Sequence, residues 1–343
     1  MKDIKFLVRP NILALAPYSC ARDEFKGEAS VYLDANENPY DNGTNRYPDP
    51  LQQEVKKLLA PLKGVVTEQI FLGNGSDEAI DLVYRIFCRP GMDNVVAPAP
   101  TYGMYQVCAD VNDIEYRAIP LKQDYQLDID SMRKAIDVNT KVIWLCSPNN
   151  PTGNVFAKED ILWFLDNSNS IVVVDEAYID FSDKATMVEM LEKYPNLIIL
   201  QTFSKAWGQA AIRLGIALAS KEIIALFNKV KYPYNVNILT QKQAIKVLED
   251  VKKKEQQVAE ILEQRAILKD LLLSLTCVEE VYPSDANFLL VKVNDANGIY
   301  KYLQDKGIIV RNRNRVTLCQ NCLRITVGTP IENAEIFNAL KGL

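Results

Sequence analysis

Between about residues 50 and 230, short apolar runs alternate with amphipathic ones, and this alternation limits the fold more than any other feature. The apolar runs are Val95–Ala97, Val142–Cys146, Ile171–Val174, Leu197–Leu200 and Gly215–Leu218. Helix-like stretches lie between them at about 76–89, 101–110, 128–138, 158–168 and 184–194. Strand–helix alternation of this kind predicts a mainly parallel sheet with helices on both faces. Ligands of such sheets bind outside the carboxyl ends of the strands.

Polar residues are concentrated at those ends. The run Val172-Val-Val-Asp-Glu-Ala-Tyr178 leads from a buried strand into an acid and a phenol. The next strand leads into Thr202-Phe-Ser-Lys-Ala-Trp207, with Arg213 beyond it. An unpaired ammonium just past a buried strand is costly unless it has a partner. Singly, each residue has an ordinary reading: Lys205 a surface charge, Asp175 a helix cap, Ser204 a turn residue. Together and in this order they suit pyridoxal 5′-phosphate. The lysine forms a Schiff base with the aldehyde, the acid pairs with the pyridinium nitrogen, and hydroxyls and arginine hold the phosphate.

Three further segments sit where they can serve the same ligand. Gly73-Asn-Gly-Ser-Asp-Glu78 opens a helix, so its amides can meet a phosphate, although Ser76 could equally start a capping box. Pro100-Thr-Tyr-Gly-Met-Tyr105 offers a ring that can stack on a flat cofactor or simply pack. Ser147-Pro-Asn-Asn-Pro-Thr-Gly153 follows a strand, level with Asp175, where it is either a ligand to the cofactor's phenolic oxygen or an Asn-Pro turn.

Composition excludes several classes. The chain of 343 residues has no histidine, which rules out Ser-His-Asp and Cys-His catalysis and imidazole metal ligation. Proton transfer near neutral pH then falls to lysine, tyrosine, a carboxylate or a cofactor. With 39 basic against 44 acidic side chains, the net charge of −5 disfavours a nucleic-acid surface. No apolar stretch approaches the roughly 18 residues of a membrane span, and the amino terminus lacks a signal-peptide core. The seven cysteines are dispersed and odd in number, which predicts free thiols in a reducing cytoplasm. Cys319 and Cys322 have metal-clip spacing but no second pair, so no metal is expected.

Residues from about 238 to 275 read as one long polar helix. Strands at 287–293 and 323–327 and helices at about 295–306 and 331–342 then predict a small α+β unit.

The chain resembles the fold-type I pyridoxal-phosphate enzymes and, more narrowly, the histidinol-phosphate aminotransferase family. The resemblance is carried by Leu33-Asp-Ala-Asn-Glu-Asn-Pro39, Arg46-Tyr-Pro-Asp-Pro50, the segments already quoted, Cys322-Leu-Arg-Ile-Thr-Val-Gly328, the Ala-Pro-Tyr ending at Tyr18, and Arg311. These stand in the family's order and span almost the whole chain. The departures are the missing histidine and a short loop around Gly43, neither of which removes a functional position.

The resemblance implies a seven-stranded, mainly parallel sheet in a large domain (37–237). It further implies an N-terminal arm (1–36), and an interdomain helix with a small C-terminal domain (238–343). Lys205 would carry the cofactor and shuttle protons. Asp175 would hold the pyridine nitrogen, Tyr178 and Asn150 the phenolic oxygen, and Tyr102 the ring face. Gly75, Ser76, Asp77, Thr202, Ser204 and Arg213 would hold the cofactor phosphate, joined by Tyr47 from the other subunit of a homodimer. Arg324 would grip a substrate α-carboxylate, and Arg311, Tyr18 and Asn36 would complete the substrate site. The implied reaction exchanges an amino group between histidinol phosphate and 2-oxoglutarate. An aromatic amino-acid aminotransferase, a threonine-phosphate decarboxylase and a regulator that has lost catalysis are the alternatives.

Overall fold

A computed structural model describes residues 4–18 and 29–343. Its centre is a seven-stranded sheet formed by β1 (Ile70–Asn74), β2 (Asn94–Ala99), β3 (Glu115–Pro120), β4 (Thr140–Cys146), β5 (Ile171–Asp175), β6 (Leu197–Thr202) and β7 (Leu214–Ala219), in the order β1-β7-β6-β5-β4-β2-β3. Only β7 runs against its neighbours. The predicted mainly parallel sheet is therefore present.

The middle strands explain why the sheet forms. Every residue of β5 and β6 is buried. Alternate side chains feed two separate cores, with Val172 and Val174 on one face and Ile171 and Val173 on the other. Fully burying each such aliphatic side chain contributes about 1.5–3 kcal/mol. Strands of this composition are stable only where helices cover both faces. The helices α1 (Pro10–Ala14), α2 (Gln53–Lys63), α3 (Gly75–Phe87), α4 (Met104–Val111), α5 (Ile129–Ala135), α6 (Lys158–Asn167) and α7 (Lys221–Val230) belong to this part of the chain.

Two strands of this sheet are not expected from the sequence. β1 is short and contains Gly73. β3 is an edge strand with half its residues exposed, so it lacks an apolar run. The helix expected at 184–194 is only a 3-10 turn, Met187–Met190. The buried carboxylate of Glu176 draws in the Thr186 hydroxyl and, at 2.6 Å, the Met187 N–H, and this fixes the segment as a turn.

The long helix expected over 238–275 is two helices, α8 (Ile238–Leu248) and α9 (Val251–Leu273). The break falls at Asp250, whose carboxylate accepts the Lys253 N–H and so caps a new helix start. Beyond it an antiparallel sheet is built from β8 (Val278–Val281), β9 (Phe288–Val293), β10 (Arg311–Asn312) and β11 (Cys322–Thr326), in the order β10-β11-β9-β8. Helices α10 (Ala296–Asp305) and α11 (Pro330–Leu340) pack on it around Leu289, Val291, Leu323 and Ile325. The other face of this sheet, with Leu290 and Cys322, joins the core of the large sheet. Among the described residues no helix is long and apolar enough to cross a membrane.

Candidate active site

The carboxyl ends of β4, β5 and β6 and the start of α3 surround a cleft of about 160 Å³. Gly75, Ser76, Asp77, Tyr102, Asn150, Asp175, Tyr178, Thr202, Ser204, Lys205 and Arg213 all line it. Cys146, Ala177 and Ala210 complete the wall.

Asp175 ends β5, paired beside Cys146 of β4, and is 3% exposed. Its Oδ2 accepts the Tyr105 hydroxyl at 2.7 Å and its Oδ1 accepts the Ala177 N–H at 3.0 Å. Burial pushes the carboxyl up to about 6, against the pull of those two hydrogen bonds. Among the described residues no cation lies within ion-pair distance of it. Tyr105 supports the site through Asp175, and the sequence analysis names Tyr102 in its place. Its ring stacks on Trp144 at 4.7 Å and is fully buried, which fixes the hydroxyl toward Asp175. The available signal was its place one helical turn after Tyr102.

Lys205 stands in the turn after β6. The Gly208 N–H donates to its carbonyl at 3.0 Å, and the Ser204 N–H donates to Thr202 Oγ1 at 3.0 Å. Its ammonium lies 5.6 Å from the Tyr178 ring centre and has no hydrogen bond or ion pair among the described residues. Burial lowers its pKa first, and the Arg324 guanidinium lowers it further. A lysine so placed is readily converted to the neutral amine that a nucleophile requires.

One end of the cleft is an anion cradle. Gly75 opens α3 at φ +70°, and its N–H donates to the Arg213 carbonyl at 2.7 Å. A Cβ at Gly75 would come within 2.7 Å of Arg213 Nη2, and one at Gly215 within 2.1 Å of the Ser76 nitrogen. Both glycines therefore let the strand, the helix start and the arginine close on one another. The Asn74 side chain makes no capping bond, and Ser76 lies inside the first turn rather than at the cap, so the capping-box reading of Ser76 does not hold. The helix dipole and Arg213 favour a negative group here. Asp77 steadies two walls: its Oδ2 lies 3.5 Å from Arg213 Nη2, and its Oδ1 accepts the Tyr102 hydroxyl at 3.1 Å.

Asn150 links the cleft to the small sheet, although neither Arg324 nor Arg311 is among the lining residues. Asn150 donates through Nδ2 to the Tyr178 oxygen at 3.4 Å, and its Oδ1 accepts Arg324 Nη1 at 2.5 Å. Arg324 lies on β11, over the Phe288 ring at 5.2 Å, with Arg311 of β10 directly opposite and exposed. Tyr18, Asn36 and Tyr47 do not line the cleft. Tyr18 is 73% exposed. Tyr47 is half exposed, stacks on Tyr234 at 4.3 Å, and with Asn36 lines a separate hollow of about 470 Å³.

A half-buried lysine, a buried acid and a glycine-lined helix start beside an arginine thus gather at one set of strand ends. The chain belongs to the aminotransferase class I and II family, whose model matches residues 26–340. It is 57% identical to the histidinol-phosphate aminotransferase of Bacteroides fragilis (strain YCH46) over 342 residues, 99% of each chain. At that identity the family narrows to the histidinol-phosphate aminotransferases.

Solved structures are similar in fold. The histidinol-phosphate aminotransferase of Clostridium acetobutylicum superimposes with a TM-score of 0.79 at 24% identity, over 87% of this chain and 90% of that one. The Sinorhizobium meliloti histidinol-phosphate aminotransferase in complex with pyridoxal-5′-phosphate gives the same TM-score and identity, over 87% and 82%.

Proposed function

We propose that this aminotransferase exchanges the amino group between histidinol phosphate and 2-oxoglutarate, reversibly, giving imidazole acetol phosphate and glutamate in histidine biosynthesis. The observation that carries the reading is the cleft that sets Lys205 and Asp175 beside the start of α3 and Arg213, and that is joined through Asn150 to Arg324 of the small sheet.

The residues fit pyridoxal 5′-phosphate. Asp175 is a buried carboxylate supported only by neutral donors, and a pyridinium N–H would supply its missing cation. The glycines at 75 and 215 leave no room for a side chain where the phosphate would sit against α3. When bound, the cofactor supplies an aldehyde for amines and a ring that accepts the electron pair left by a departing α-proton.

The chain's own residues do the rest. Gly75, Ser76, Asp77, Thr202, Ser204 and Arg213 would hold the phosphate. Asp175 would keep the ring nitrogen protonated, Tyr178 and Asn150 would bind the phenolic oxygen, and Tyr102 would cover the ring. Lys205 Nζ would take the proton from the substrate α-carbon and hold it within reach of the cofactor's aldehyde carbon. Arg324 binds the α-carboxylate of glutamate in a two-pronged pair. Histidinol phosphate has no α-carboxylate, so Arg311 serves its phosphate and, in the other half-reaction, the distal carboxylate of glutamate. Tyr18 and Asn36, which the family resemblance assigns to the substrate site, stand apart from the cleft in the single chain.

Tyr18 and Tyr47 are exposed in the single chain, which supports a homodimer in which Tyr47 of one subunit reaches the cofactor phosphate of the other. The same reading divides the chain into an arm (1–36), a cofactor domain (37–237) and a small domain with its connecting helices (238–343). Six described cysteines are free thiols, which suits the cytoplasm.

Replacing Arg311 with alanine tests the substrate assignment. KM for histidinol phosphate is expected to rise roughly tenfold or more, the scale of one lost charge-assisted hydrogen bond. Phenylalanine, which has no distal anion, serves as the control and should change far less. Equal losses for both substrates would assign Arg311 to the fold or the cofactor, not to the phosphate.

A further inference from the structure

Strand β10 ends at Asn312, but its pairing with β11 continues for one more step. The Arg313 N–H donates to the Cys322 carbonyl at 2.8 Å. Arg311 already stands opposite Arg324. Side chains alternate along a strand, so residues 311 and 313 share a face with 324 and 322. That face is turned toward the large sheet, because Cys322 packs into its core and Arg324 reaches Asn150.

Three arginines therefore stand together, and none has a carboxylate within 4.0 Å among the described residues. Arg313 Nε is buried and makes no hydrogen bond. Burial lowers its guanidinium to about 10, helped by Arg324 and Arg311, while Tyr178 pulls the other way, so the group lies within electrostatic reach of the cleft. Three like charges around one unsatisfied, buried donor repel one another unless an anion joins them.

We infer that Arg313 is a third anion-binding group of the substrate site and favours a phosphate monoester over a carboxylate. The inference rests on the histidinol-phosphate reading above. Glutamate brings two single charges, which Arg324 and Arg311 match. A phosphate monoester brings about −1.5 to −2 at one point at pH 7, with three acceptor oxygens, and so can engage a further guanidinium.

The test compares wild type with Arg313→Gln and Arg313→Lys, on histidinol phosphate and on histidinol, which keeps the amine and the imidazole but lacks the phosphate. In Arg313→Gln the ratio of kcat/KM for the two donors is expected to fall roughly tenfold or more, mainly through KM. Arg313→Lys, which keeps the charge but loses the planar fork, should fall between them. The inhibition constant of inorganic phosphate against histidinol phosphate should weaken in the same order. A residue that only supports the fold would lower both donors equally and leave the ratio and the phosphate inhibition unchanged. That result overturns the inference. If Arg313→Gln does not fold, Arg313→Lys decides by the same two readouts. A wild type inactive on histidinol phosphate would instead overturn the functional reading, so the two failures are distinguishable.

Discussion

Lys205→Ala is expected to abolish turnover while the protein stays folded. The ammonium makes no hydrogen bond or ion pair among the described residues, so its removal breaks no network. Its burial is a cost to the folded state, which the alanine relieves. Chemically, the side chain has two duties that no neighbour can assume. On the proposed reading it would be the amine that engages the cofactor aldehyde and the base that moves the α-proton. Loss of the acid–base duty alone removes about 10²–10⁴-fold in rate. No histidine exists in the chain to substitute, and the hydroxyl of Tyr178 is pushed well above its usual range by burial. Steady-state kinetics, with thermal unfolding as the control, check this. A visible Schiff-base band in wild type, removed by borohydride and absent from the variant, reports the covalent link directly. Turnover near the wild-type rate would overturn the assignment of Lys205.

Asp175→Asn separates electrostatics from structure. The amide can still accept one of the hydrogen bonds from Tyr105 and Ala177, so the shape of the site survives. It cannot hold the ring nitrogen in its protonated form, and the electron sink is lost. The expected loss in kcat is about a hundredfold or more, the scale of removing a main electrostatic stabiliser.

Stability should move differently. Burial has raised the folded-state pKa of Asp175 to about 6 from the usual 3.8. A raised folded value means that its contribution to stability is present below the unfolded pKa and lost as pH rises through the folded one. At neutral pH the ionised carboxylate is therefore a liability in the cofactor-free protein, and the neutral amide removes it. The apo variant should accordingly unfold no earlier than apo wild type at pH 7 while losing activity. Activity within a few fold of wild type would reduce Asp175 to a local cap of the following turn.

Much of this site could be read from the sequence because its geometry is set by strand ends. A buried parallel strand must be apolar throughout, so the first polar residue after it marks the cleft. Asp175 is legible in this way, Lys205 from the hydroxyl-flanked run just past the next strand, and Asn150 and Tyr178 from their neighbours. The misses have physical causes as well. Strand β3 lies at an edge and needs no apolar run, and Asp250 splits a helix whose periodicity looks continuous across it. Tyr105 was overlooked because a fully buried tyrosine and a ring-stacking one look alike in sequence, and only the 2.7 Å contact with Asp175 separates them. Arg313 and Arg315 lie close enough to Arg311 in sequence to share its role, but only the ladder step beyond β10 sets Arg313 beside Arg324. Tyr18, Asn36 and Tyr47 were named through family resemblance alone, and in the single chain they stand apart from the cleft.

The central claim is the substrate, because the cofactor chemistry is common to every aminotransferase of this fold. The most direct measurement is a transamination assay of the purified wild type with 2-oxoglutarate as acceptor, offering histidinol phosphate, phenylalanine and threonine phosphate in parallel. The account predicts the highest kcat/KM for histidinol phosphate, with glutamate formed in equal amount and no carbon dioxide released from threonine phosphate. A preference for phenylalanine, or decarboxylation of threonine phosphate without glutamate formation, would contradict it.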